Sequence, residues 1–143
     1  MFGRDYGITV PGRVVGKGRP RFTKAGRAYT PRATVEFEQR VRAVWIAAGH
    51  PMLTGPLAVR VTVVRPLPKS APKSRDGEWD THRPDLDNVV KAVLDALNGV
   101  AYEDDAQVVR IAATKARRYR GEPERVTVTV ESLEGTEWQR YTR

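Results

Sequence analysis

The sequence predicts an α+β fold, a two-layer sandwich with helices packed on one small mixed sheet. Two observations carry that expectation. Two segments repeat apolar residues at helical spacing, and four others alternate with a period of two or run as β-rich strands. Their order is strand, basic loop, helix, strand, long loop, helix, strand, strand. No internal repeat and no composition break divides the 143 residues, so one domain spanning 1–143 is expected.

Tyr6 to Val10 reads as the first strand. Pro11 to Arg32 follows with Arg13, Lys17, Arg19, Arg21, Lys24, Arg27 and Arg32 and no acid. Its Gly16-Lys17-Gly18-Arg19-Pro20 run excludes regular structure there. Thr34 is read as the N-cap of a helix, with Glu36 and Glu38 favoured near the helix's positive end. Phe37, Val41, Val44, Trp45 and Ala48 make its apolar face, and Gly49 and Pro51 end it.

Leu57 to Arg65 reads as a strand with Leu57, Val59, Val61 and Val63 on one side. Pro66 to Arg83 is a long basic loop carrying Pro66, Pro68, Pro72, Lys69, Lys73, Arg75 and Arg83. Loops of this length are usually functional or disordered. Pro84 is suited to open a second helix. Leu86, Val90, Val93, Leu94 and Leu97 form its stripe, and Asn98-Gly99 stops it. Gln107 to Ala116 and Arg125 to Glu131 read as strands around the Gly121–Pro123 turn. The tail, residues 132–143, is polar and expected to fray.

Lys plus Arg number 25 against 17 acids, a formal net charge of +8. Such a surface attracts polyanions, and nucleic acid is the commonest in a cell. The absence of cysteine excludes disulfides and thiolate metal sites. With no signal peptide and no apolar run long enough to span a bilayer, a soluble, cytoplasmic protein without a membrane partner is expected. The glycine-lysine run lacks P-loop spacing, so no nucleotide cofactor is expected.

Within this basic chain, Asp85 to Asp105 gathers Asp85, Asp87, Asp95, Glu103, Asp104 and Asp105, with Lys91 the single positive charge. Clustered like charges need compensation. A hard divalent cation such as Mg²⁺ supplies it and also accepts phosphate oxygens. Asp87 and Lys91 lie one turn apart, Asp85 can point to the same side, and a short return after Asn98-Gly99 could bring Asp104 and Asp105 back to the helix start. The plainer alternatives are an N-cap at Asp85, a dipole-favoured acid or an ordinary Asp87–Lys91 pair, and a turn at Asp104-Asp105. Asp95 reads as a solvated residue, Glu103 as a rim residue, and His82 as solvated or touching phosphate. Asn88 reads equally as a helix-capping residue or a partner of nearby backbone or carboxylate.

The run Arg83-Pro84-Asp85-Leu86-Asp87-Asn88-Val89-Val90-Lys91, continued by Asp95-Ala96-Leu97-Asn98-Gly99-Val100, resembles the aspartate-rich helix start of the RusA family of Holliday-junction resolvases. Asp104-Asp105-Ala106-Gln107-Val108 resembles that family's second acidic motif, and Gly16 to Phe22 its basic segment. The resemblance spans about Gly16 to Val130. It implies a RusA-like fold and a homodimeric endodeoxyribonuclease that nicks four-way DNA junctions symmetrically in recombination and repair, with Mg²⁺ (or Mn²⁺ in its place). Members are often carried by phages and prophages. The matching metal-site residues are Asp85, Asp87 and Asp105, with Asp104 beside them, and the matching catalytic lysine is Lys91.

The expected DNA contacts are Lys17, Arg19, Arg21, Lys24 and Arg27, with Arg83 and Arg117 and then Arg75, Lys115 and Arg118 as further candidates. Phe22 and Tyr29 are candidates for stacking on opened bases, with packing the plainer reading. The competing functions are a non-enzymatic basic DNA-binding protein and a metal-dependent nuclease acting on other branched DNA.

Overall fold

The computed structural model describes residues 4–134. Four strands form the main sheet: β1 (Asp5–Pro11), β4 (Leu57–Val64), β5 (Val108–Lys115) and β6 (Arg125–Ser132). Their spatial order is β1-β6-β4-β5. β6 pairs antiparallel with β1 and β4, whereas β4 and β5 run parallel. A parallel pair needs a crossover, and the chain from Pro66 through helix α2 (Leu86–Leu97) supplies it. Helix α1 (Arg32–Ala47) packs beside α2. The arrangement is the expected α+β sandwich.

Alternation sets the layers. Ile8 and Val10, Leu57, Val59, Val61 and Val63, and Val126, Val128 and Val130 are all buried. They meet Phe37, Val41 and Trp45 of α1 and Val89, Val93, Ala96 and Leu97 of α2 in one core. Truncating Trp45 or Phe37 to alanine would cost about 3–5 kcal/mol, as deletion of large buried aromatics does.

The basic loop holds a two-stranded hairpin, β2 (Arg21–Phe22) and β3 (Ala28–Tyr29), which the sequence reading did not anticipate. Its Gly16-Lys17-Gly18 run threads between the two helix starts. A Cβ on Gly16 would meet Pro84 Cβ at 3.0 Å and Asn88 Cβ at 3.1 Å, and one on Gly18 would meet Pro31 at 2.7 Å. The Lys17 backbone N–H donates to the Asn88 carbonyl at 2.8 Å. The glycines thus permit a close approach that fastens the loop to both helices.

Several boundaries differ from expectation. Thr34 is not the N-cap of α1: the helix starts earlier, after Pro31. Thr34 is buried, and its hydroxyl donates to the Gly16 carbonyl and accepts from the Gly18 N–H at 3.1 Å. Glu36 pairs with Arg32 at 2.8 Å instead of meeting free N–H groups. Pro84 lies before α2 and follows a cis Arg83–Pro84 bond, while Asp85 takes the N-cap position. Asn98 and Gly99, the latter at φ +82°, end α2 as expected. The expected strand from Gln107 is shortened by a 3₁₀ turn at Asp105–Gln107. At the tail, Ser132 completes β6 and Leu133 is buried; its further residues, 135–143, lie outside the described residues.

The Pro66–Arg83 loop is folded. Leu67 and Ala71 are buried, Lys73–Arg75 forms a 3₁₀ turn, and Glu78 pairs in a bridge with Arg118.

Candidate active site

The start of α2 is fixed by the sequence around it. The close packing of Gly16 on Pro84 and Asn88 sets its approach, and Val89 and Val90 anchor its first turns in the core. Asp85 makes no side-chain cap hydrogen bond, so the N-cap alternative does not account for its carboxylate. That carboxylate has no hydrogen-bond or ion-pair partner among the described residues, and it is exposed. Asp87, also exposed, accepts only the neighbouring Asn88 N–H, at 2.9 Å through Oδ1. Asn88 itself contributes its backbone carbonyl to Lys17.

Beside these acids runs an open groove of about 340 Å³ lined by Arg13, Lys17, Arg65, Arg83, Asp85 and Asn88 among others. Arg13 and Arg83 are exposed at its walls and make it attractive to an anionic chain. The Arg65 guanidinium donates to the Arg83 carbonyl, and Lys115 Nζ donates to the His82 carbonyl at 2.6 Å. These bonds hold the segment that leads into Asp85.

Asp104 and Asp105 divide their roles. The Asp104 carboxylate accepts the Ala106 N–H at 2.9 Å and, with Gln107, forms a capping box on the 3₁₀ turn. Gln107 also donates to the carbonyls of Leu53 and Gly55. The Asp105 carboxylate has no hydrogen-bond partner among the described residues, while its backbone N–H donates to Asn98 Oδ1 at 2.9 Å. Tyr102 is buried beside it and donates to the Leu94 carbonyl at 2.7 Å. Burial, then the negative charges of Asp105 and Asp95, push the Tyr102 phenol well above its ordinary value. Asn98, Tyr102 and Gln107 are positioning residues that sequence reasoning missed. Their polar atoms in an otherwise apolar or turn context were the available signal.

The expected return of Asp104 and Asp105 to the helix start does not occur within one chain. Asp105 is tied to the C-terminal end of α2, whereas Asp85 and Asp87 open the other end. Twelve residues of α-helix span roughly 18 Å. Among the described residues, no group of three or more His, Cys, Asp or Glu side chains could hold a metal ion. The donors nevertheless suit Mg²⁺. Asp85 and Asp87 are hard oxygen ligands with free lone pairs, and Mg²⁺ is commonly held by one or two carboxylates plus substrate phosphates.

Lys91 pairs with Asp95 at 3.7 Å, not with Asp87, and its side chain stays 63 % exposed. Asp95 is therefore not a merely solvated residue: it also meets Lys17 Nζ at 3.0 Å. Lys17 further bonds Glu38 at 2.6 Å. Burial lowers the Lys17 pKa, but the two carboxylates outweigh it and hold the ammonium above its ordinary value. The Lys17 charge is thus engaged within the fold. Arg19, Arg21, Lys24 and Arg27 are exposed around the hairpin without an ion-pair partner among the described residues. Phe22 is 70 % exposed, so ordinary packing does not account for it. Arg83 is exposed at the groove, Arg117 stacks on Trp79, and Arg118 is buried with its guanidinium bonded to His82 Nδ1 and the Pro66 carbonyl.

Exposed carboxylates at a helix start, bordered by a basic groove, offer hard oxygen donors beside positive charge. The chain belongs to the endodeoxyribonuclease RusA family, whose model matches residues 11–131. It is also 36 % identical over 140 residues to the uncharacterized protein YqaN of Bacillus subtilis (strain 168), a match covering 88 % of this chain and 95 % of that one. No helix among the described residues is long and apolar enough to cross a membrane.

Proposed function

We propose that this protein is a Mg²⁺-dependent endonuclease that resolves four-way DNA junctions by paired nicks. The observation that carries the reading is the free Asp85 carboxylate on the wall of the basic groove, with the exposed Asp87 two residues further along. Asp85, Asp87 and Asp105 are the metal ligands in this reading. Asp104 is a turn-capping residue beside them. These carboxylates would hold the ion, which would supply an acidified water and charge neutralisation at the scissile phosphate. Lys91, one turn beyond Asp87, presents its ammonium to the phosphate. The free arginines and lysine of the hairpin hold the DNA backbone, which makes affinity fall steeply with salt.

A second copy completes the site in this reading. Among the described residues β5 is an edge strand, paired with β4 alone. Its Val109 is 59 % and its Ile111 49 % exposed on the helix side of the sheet. Such an edge invites pairing. Antiparallel pairing of β5 with its copy about a two-fold axis lays the start of one strand beside the end of the other. Asp105 precedes β5, and the end of β5, at Lys115, is bonded to His82 just before Asp85. Asp105 of a second copy therefore moves towards Asp85 and Asp87. Two such sites match the two strands cut in a junction.

The test is incubation of the protein with a synthetic four-way junction and a matched linear duplex, with and without Mg²⁺. Paired nicks confined to the junction and to Mg²⁺ are expected, and Asp87→Asn should bind the junction without cutting it. Nicking by that variant, or none by the unaltered protein, overturns the reading.

A further inference from the structure

The Pro66–Arg83 loop ends in a small ribbon. Glu78 and Arg118 form an antiparallel bridge, with the Gly77 N–H donating to the Arg118 carbonyl at 2.7 Å and the Arg118 N–H to the Glu78 carbonyl at 2.9 Å. Side chains alternate across such a ribbon. Arg118 turns inward and is buried; its neighbours Arg117 and Tyr119 turn outward. The Arg117 guanidinium lies 4.4 Å from the centroid of the Trp79 ring. Tyr119 lies over Gly77, where an added Cβ would meet its ring at 3.6–3.7 Å and its hydroxyl at 3.4 Å. One exposed face therefore carries Trp79, Arg117 and Tyr119 side by side.

This face is built and left open. Trp79 is 60 % and Tyr119 46 % exposed. The ribbon is anchored beneath by the Arg75–Glu78 pair at 2.8 Å and by buried Asp80, which accepts the His82 N–H at 3.3 Å. Two exposed aromatic rings on one ribbon, one of them under a guanidinium, offer a planar partner a stacking surface. The charge around it selects an anionic polymer: Arg117 is exposed, and Lys115 and Arg83 lie on the path to Asp85. Trp79 is six residues from Asp85, a reach of at most roughly 20 Å.

The geometry points to a stacking platform, Trp79 with Arg117 and Tyr119, that receives an unpaired DNA base near the cleavage site. Base–aromatic stacking is indifferent to sequence, because every base has a π-face. It would therefore favour DNA with opened bases over continuous duplex. This inference rests on the reading of the protein as a nuclease of branched DNA.

The test measures binding without Mg²⁺, so that no strand is cut, to a fully paired duplex and to the same duplex carrying a short unpaired bulge. Trp79→Ala should weaken binding to the bulged duplex about ten-fold while leaving the paired duplex unchanged, and Trp79→Phe should restore most of the loss. In a Trp138→Phe background the remaining tryptophans are buried Trp45 and exposed Trp79. Bulged DNA should then quench the fluorescence more than paired DNA does. Equal discrimination by the unaltered protein and Trp79→Ala, or equal quenching by both DNAs, overturns the platform and is the result a protein-docking role for Trp79 gives. Lost discrimination in a protein that nicks no DNA with Mg²⁺ supports the platform and overturns the nuclease reading. Intact junction nicking with unchanged discrimination overturns the platform alone.

Discussion

Asn98 holds Asp105: its side-chain oxygen accepts the Asp105 backbone N–H at 2.9 Å, so the residue that ends α2 also places the last acid of the cluster. Asn98→Ala removes that acceptor and leaves a half-buried N–H unpaired. Stability should fall by about 1–3 kcal/mol, read from the denaturation midpoint, and nicking should fall while junction binding persists. Unchanged nicking in a measurably destabilised variant would separate the Asn98–Asp105 contact from catalysis.

Asp104 and Asp105 are adjacent and chemically identical, yet their surroundings assign them different work. Asp104→Asn keeps an oxygen that can cap the 3₁₀ turn, so nicking should stay within a few-fold of the unaltered protein. Asp105→Asn alters a carboxylate with no structural partner among the described residues. It should abolish nicking with stability nearly unchanged. Comparing the cleavage rates of the two variants at saturating Mg²⁺ decides the assignment; the reverse ranking would require exchanging their roles.

Sharing of a site between copies is open to a mixing experiment. Asp85→Asn and Asp105→Asn chains should each be inactive alone. Combined in one dimer, they leave one site with both carboxylates intact if the site is composite. Mixed chains should then nick a single strand of the junction. Continued inactivity in mixtures shown to exchange subunits would place all ligands within one chain.

The Lys17 interactions predict a pH dependence with a definite sign. The folded-state pKa lies above the ordinary 10.5, so this contribution is fully present below pH 10.5 and is lost as the pH rises through the folded value. Lys17→Met should destabilise by about 1.5–3 kcal/mol at neutral pH, the range for hydrogen bonds to charged groups. The gap between the two proteins, followed by urea unfolding, should stay level at neutral pH and narrow above pH 10.5. A gap that widens there would contradict the Lys17–Glu38–Asp95 arrangement.

Much of the fold was legible because its signals are local. The alternation of Leu57, Val59, Val61 and Val63 specifies a strand with one buried side. The stripe from Leu86 to Leu97 specifies a helix, and Asn98-Gly99 its end. The role of Thr34 is not legible locally, because a hydroxyl near a helix start can cap that helix or bond another segment, and only the glycine loop lying against it makes the second choice. The β2–β3 hairpin escaped notice because two-residue strands carry almost no periodic pattern.

The sequence by itself determined the α+β layering, the acids at Asp85, Asp87, Asp104 and Asp105, and the excess of positive charge, since each follows from residue type or short-range spacing. Tertiary structure alone decided which charges are engaged and which stay free. Lys17 is drawn to Glu38 and Asp95, Arg118 is buried, and Asp105 is carried to the far end of α2 from Asp85. The reason is that electrostatic partners are chosen by distance in space, which falls or grows with packing independently of separation along the chain.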